Sequence, residues 1–215
     1  MLAYQFMSAG YALDDLRKRR VKVSFLNDMN DPFELLGATL ARAEHRVAFR
    51  KWRDHMNSIS RALCFSRKWS NPVLWSHYAD KHRGVALGFE IPDVCLLPIS
   101  YKAARLELEL EKNMLKTGKV DDDLGVKLLT TKFADWAYED EVRMFLKPHE
   151  TYEELGLHFY PFSSELTLKQ VVIGARAAVS RKEVAAAIQP QDSDVEIIST
   201  RLAFKSFRIM RTPAK

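Results

Sequence analysis

Cysteine is scarce in this chain: only Cys64 and Cys95 occur in 215 residues. Two thiols in separate apolar runs, Leu63-Cys64-Phe65 and Val94-Cys95-Leu96-Leu97, make no disulfide framework and read as small buried hydrophobes. No Cys/His cluster has zinc-ligand spacing, so no metal is expected. Glycine is also sparse, eight residues in all, and none builds a phosphate-cradling loop. Walker, G-x-G-x-x-G, G-x-S-x-G and H-E-x-x-H motifs are all missing. These absences disfavour a P-loop nucleotidase, a Rossmann dehydrogenase and an α/β-hydrolase. No uncharged stretch approaches the roughly 20 residues of a membrane span. The first ten residues carry no basic segment ahead of their apolar ones. A cytoplasmic protein without membrane association is therefore expected.

What is present is ordinary for a globular domain: 47% apolar and 28% charged residues. Thirty-three basic against twenty-eight acidic residues leave +5, which permits anionic partners without demanding them. The length suits one domain over 1–215, and neither an internal repeat nor a low-complexity linker divides it.

Helices and short strands alternate irregularly. Strands are expected at Ala3 to Phe6, Val21 to Phe25, Arg61 to Ser66, Val85 to Glu90, Glu141 to Leu146, Leu168 to Ile173, Val195 to Ser199 and Phe207 to Met210. Helices are expected at Tyr11 to Arg20, Leu40 to Asn57, Ala103 to Lys116 and Asp121 to Asp135. A further short helix begins at Asn71-Pro72, an N-cap followed by proline at the first helical position. Another begins at Ser180, where Glu183 completes a capping box. Strict strand–helix–strand alternation is absent. The pattern fits an α+β fold with mostly antiparallel sheets and flanking helices.

Three clusters carry candidate chemistry. Asn27 to Glu34 is rich in Asn, Asp and Pro; it is either a structural turn or a rigid loop offering Asn30, Asp31 and Glu34 to a ligand. Its spacing lacks the glycine and distal glutamate of a calcium loop. In the second cluster, Trp75, Tyr78 and His82 share a helix face with His77 beside it. That face either packs into the core or walls a pocket, with Trp75 and Tyr78 stacking and His77 as a polar contact. The third is Trp136 to Phe145. On a strand, Glu139, Glu141 and Arg143 project to one side, and Arg143 relieves the repulsion between the carboxylates. That side is either a solvated surface or the acidic lining of a cleft. The tail from Arg201 to Lys215 adds five basic residues and no acid, interleaved with Phe204, Phe207 and Met210. It is either a solvated strand face or a nucleic-acid contact.

Taken together and in this order, N-D-P-F-E, C-F-S, W-S-H-Y-A-D-x-H-x-G and W-x-Y-E-x-E-x-R resemble a bacterial domain-of-unknown-function family that includes AbiGi-like phage abortive-infection proteins. The resemblance runs from Tyr4 to about Gly174. A more distant one is to ADP-ribosyltransferases, whose E-x-E motif matches Glu139-Asp140-Glu141. That resemblance implies NAD as substrate, Glu141 stabilising the ribose cation and Glu139 orienting the acceptor. It also implies that Tyr4 or Gln5 takes the early-strand position and Ser66 the middle-strand one. Trp75 or Tyr78 would stack on a ring, and His77 and Asn30 would bond ribose or phosphate. The early strand lacks the family's Arg or His, and Cys64-Phe65-Ser66 stands in place of Ser-Thr-Ser. The expectation is an NAD-using transferase or toxin in phage defence, with a protein or nucleic-acid acceptor. The alternative is a non-enzymatic module binding nucleic acid or protein.

Overall fold

A computed structural model describes residues 1–107 and 120–213. Thirteen strands and five α-helices fall in these ranges. The strands are β1 (Leu2–Met7), β2 (Arg20–Lys22), β3 (Arg61–Ser66), β4 (Val85–Glu90), β5 (Leu97–Pro98), β6 (Ser100–Lys102) and β7 (Thr131–Phe133). They continue with β8 (Glu141–Leu146), β9 (Tyr152–Glu154), β10 (Leu157–Pro161), β11 (Thr167–Ile173), β12 (Glu196–Leu202) and β13 (Ile209–Arg211). The helices are α1 (Ala9–Lys18), α2 (Ala43–Ile59), α3 (Pro72–Tyr78), α4 (Asp122–Leu129) and α5 (Arg181–Ala187).

Eight strands form the main sheet in the order β13-β12-β11-β4-β1-β3-β8-β5. Every pairing in it is antiparallel except β11 with β12, which α5 connects. A three-stranded sheet, β2-β10-β9, and the parallel pair β6-β7 complete the strands. The fold is α+β with a mostly antiparallel sheet, as the irregular alternation implies.

Both faces of the main sheet are covered. Along β4, Val85, Leu87 and Phe89 enter one core with α1, α5 and the inward residues of β10, while Ala86 enters another beneath α3. The strand is apolar from Val85 to Phe89 rather than alternating, as a strand buried on both sides must be. On β8 the faces differ in kind. Val142, Met144 and Leu146 join the first core, while Glu141 and Arg143 point to the opposite face. Beyond them, a third apolar cluster packs Phe49 and Trp52 of α2 against Leu128 and Leu129 at the end of α4. The polar face of β8 and β3 is thus left between the α3 cover and the α2/α4 cover.

Local sequence explains the caps. The Asn71 side chain accepts from the Val73 N–H at 2.9 Å, and the reciprocal Ser180/Glu183 box starts α5. The α4 region departs from expectation. Its helix spans Asp122–Leu129, after which the β-branched Thr130 and Thr131 turn the chain into β7. The helix expected over Ala103 to Lys116 lies largely outside the described residues; 103–107 is non-helical and Leu106 bridges Ala38. Strands β9 and β10 carry no clear alternation and were not anticipated.

Candidate functional site

Strands β1 and β3 are joined by a single paired position, Tyr4 with Ser66. The two strands part beyond it, and a cleft of about 370 Å3 opens against the gap. Gln5 and Phe6 of β1, Cys64 and Phe65 of β3 and Tyr78 of α3 line its walls. Glu34, Lys132, Glu139, Glu141 and Arg143 form its charged floor. Asn30 and Met29 close one side from the loop after β2.

Five ionisable side chains meet on that floor, each at most 7% exposed. Arg143 is the hub. Its guanidinium donates to Glu34 through both terminal nitrogens at 2.6 and 3.0 Å, and through Nε to Glu141 at 2.6 Å. Such bidentate pairing is what a planar guanidinium does well. The Leu129 carbonyl accepts a further bond at 2.9 Å. Lys132 Nζ donates to Glu139 at 2.6 Å and to Glu141 at 3.0 Å, and lies 3.5 Å from Glu34. Three carboxylates therefore face two cations. With all ionised the cluster holds one surplus negative charge.

The electrostatics separate the two glutamates of the E-x-E pair. For Glu141, burial pushes the carboxyl up, but Arg143 and Lys132 outweigh it and hold it down at about 2. Both of its oxygens accept from cations. For Glu139, burial dominates over Lys132 and raises the carboxyl above its ordinary value. Its other oxygen accepts from the Tyr78 hydroxyl, which in turn accepts from Asn30 Nδ2 at 3.1 Å. Burial, then the Glu139 carboxylate, push the Tyr78 phenol up, so it stays protonated and donating. Burial also raises the Cys64 thiol, and the neighbouring Glu141 adds to this.

The backbone holds this arrangement in place. Glu139 ends a 3-10 turn over Ala134–Glu139, and Asp140 follows in the left-handed region with φ 48°. Asp140 is pinned there by Arg67 and Lys68. Asn71, besides capping α3, donates to the Tyr138 carbonyl at 3.0 Å. It thereby ties the helix of Tyr78 to the turn of Glu139.

Of the residues singled out from sequence, Tyr4, Asn30, Glu34, Ser66, Tyr78, Glu139, Glu141 and Arg143 line one cleft. The surface alternative for Glu141 and Arg143 is corrected, since both are buried. Glu139 reaches the cluster from a 3-10 turn rather than from the strand. Three candidates lie elsewhere. Trp75 is fully buried under α3, packs edge-on against Phe6 and donates to the Trp69 carbonyl, so it is core. His77 lies outside the cleft lining, edge-on to Tyr78, and bonds the Tyr138 hydroxyl at 2.7 Å beside Trp136. Asp31 accepts from the Phe33 N–H at 2.9 Å and closes its own turn.

Lys132 was missed. The Thr130-Thr131-Lys132-Phe133 run, two β-branched residues followed by an aromatic, was the available signal for a strand there. The Tyr101 hydroxyl, 2.9 Å from the Glu141 N–H, was also unforeseen. The position a cation would take among the carboxylates is filled by Lys132 Nζ. Among the described residues no group of three or more His, Cys, Asp or Glu is placed to hold a metal ion. Nor is any described helix long and apolar enough to cross a membrane. Comparison with protein-family models, with curated proteins and with solved structures gave no match.

Proposed function

We propose that the cleft is the active site of an NAD-using, ADP-ribosyltransferase-like enzyme. The observation that carries the reading is the meeting of Glu139 and Glu141 at one ammonium, on the floor of an open cleft with aromatic walls. A flat nicotinamide fits against Tyr4, Phe6 and Tyr78. The C1′–N bond breaks with its electron pair leaving on nicotinamide, and positive charge develops on the ribose. The surplus negative charge of the cluster stabilises that charge in a water-poor setting.

The two glutamates divide the work in a way that differs from the motif resemblance. Glu141 is saturated by Arg143 and Lys132, so it positions them and offers little free charge. Glu139 retains a carboxyl with a raised affinity for protons. It stands nearest the ribose, and it takes the proton of the acceptor nucleophile as that group adds to C1′. A role in phage defence rests on the motif resemblance alone.

The test is nicotinamide release and ADP-ribose transfer by the full chain, offered protein and nucleic-acid acceptors. Glu139→Gln should lower the rate on the order of a hundredfold or more while the protein stays folded. Absence of NAD binding and turnover by the wild type across these acceptors would reject the reading.

A further inference from the structure

The basic tail forms a hairpin that the cleft does not use. Its base is fixed: Ile209 is buried, its N–H donates to the Ser70 carbonyl at 2.8 Å, and the Thr212 N–H donates to Ser199 at 2.8 Å. Its tip is bare. Phe204 is 89% and Phe207 99% exposed, an unusual state for two phenylalanines three residues apart. Arg201, Lys205 and Arg208 surround them and make no ion pair among the described residues. The Arg201 guanidinium lies 4.7 Å from the Phe204 ring centre. Between 200 and 213 there are four basic residues and no acidic one. Phe207 and Arg208 also border a shallow depression whose far side is Lys68, Ser70 and Asn71.

We propose that this hairpin binds single-stranded nucleic acid, its two phenylalanines stacking on unpaired bases and its cations following the phosphates. Charge complementarity selects a polyanion. The rings select a strand whose bases are free, because a duplex keeps its base faces covered. A second copy of the chain is a poor occupant, since it would set like charge against like. A bilayer is also disfavoured: inserting both rings would drag Lys205 and the unpaired backbone of the bend toward hydrocarbon. This assignment stands apart from the chemistry of the cleft.

The experiment is fluorescence anisotropy with end-labelled 20-residue oligodeoxynucleotide and oligoribonucleotide of mixed sequence. The matching duplex and anionic phospholipid vesicles run alongside, and sedimentation reports self-association. The wild type should bind the single strands with Kd of about 1–100 μM at physiological salt. Phe204→Ala/Phe207→Ala should weaken that binding by about tenfold or more and leave the duplex little changed. Arg201→Ala/Lys205→Ala/Arg208→Ala should flatten the salt dependence by about two in log–log slope. Because the tip is exposed, thermal midpoints of both variants should match the wild type. Single-strand binding that survives both variants would overturn the assignment. So would no binding, or tip-dependent binding to vesicles or to a second copy in its place.

Discussion

Glu141 and Glu139 are two residues apart and respond to substitution differently. Removing the charge of Glu141 leaves Arg143 and Lys132 buried beside a neutral amide, and breaking a buried pair typically costs about 3–5 kcal/mol. Glu141→Gln should therefore lower the midpoint of urea unfolding sharply, and any activity lost with it carries no separate meaning. Glu139→Gln brings three carboxylates and two cations to two and two, and Lys132 keeps its bond to Glu141 at 3.0 Å. The amide can still accept from Tyr78. Its stability should stay within about 1 kcal/mol of the wild type, measured by the same unfolding curve. A large loss there would mean that the Lys132–Glu139 pair outweighs the relief of the surplus charge. Asp15 supplies a third case. It is 4% exposed, its Oδ1 lies 4.0 Å from Arg20, and burial pushes its carboxyl up to about 7. The folded state thus holds this proton more tightly than the unfolded chain, so between pH 4 and 7 stability falls as pH rises. Asp15→Asn should remove that fall, with a gain at pH 8 on the order of 2 kcal/mol over the wild type. Equal unfolding free energies at pH 8 would contradict it.

Helix α3 links fold and site through its ends. Its first residue is Pro72, its cap is Asn71, and Tyr78 at its last turn reaches Glu139. Asn71→Ala removes the cap bond and the bond to the Tyr138 carbonyl together. The cap alone is worth about 1 kcal/mol, and a thermal melt should register a loss of at least that size. The second bond belongs to the site, so under the proposed NAD-using activity kcat should fall more than KM rises. Asn71→Asp separates the two, because the carboxylate caps the helix but cannot donate to Tyr138. Behind α3, Gly84 packs where a Cβ would sit 2.0 Å from the Met7 carbonyl. Gly84→Ala should accordingly be among the most disruptive small substitutions, tested by soluble yield and melting.

Across the whole molecule, the cleft exists because the sheet is divided by what covers it. The apolar face of β8 closes a core; on its other face Phe145 packs on the α2 cluster, while Glu141 and Arg143 face the cleft and keep their charges. The parting of β1 from β3 beyond Tyr4 and Ser66 makes the opening. Acid should dismantle this region first. Glu141 binds its proton less tightly folded than unfolded, so its contribution is present above about pH 4.5 and lost as pH falls toward 2. Near-ultraviolet circular dichroism, which reports the aromatic walls, should change across that range before the far-ultraviolet signal does.

The local features were legible in the chain itself. Asn71-Pro72 and Ser180-x-x-Glu183 are satisfied within a few residues, so their meaning does not depend on the rest of the molecule. The strands at Arg61–Ser66, Val85–Glu90 and Glu141–Leu146 were legible for the same reason, as was the α+β class that follows from their spacing. Periodicity could put Glu141 and Arg143 on one face of a strand, but not say whether water or protein lay opposite. That depended on Glu34, 109 residues from Arg143. It depended equally on Lys132, whose ammonium enters only because Thr130 and Thr131 end α4 early. Trp75 and Tyr78 show the same limit on one helix. Both are aromatic and three residues apart, yet one packs under the helix against Phe6 and the other donates to Glu139. Side-chain type and spacing determine which residues share a face; which partner meets that face is decided by long-range packing, and with it the charge state of every group in the cleft.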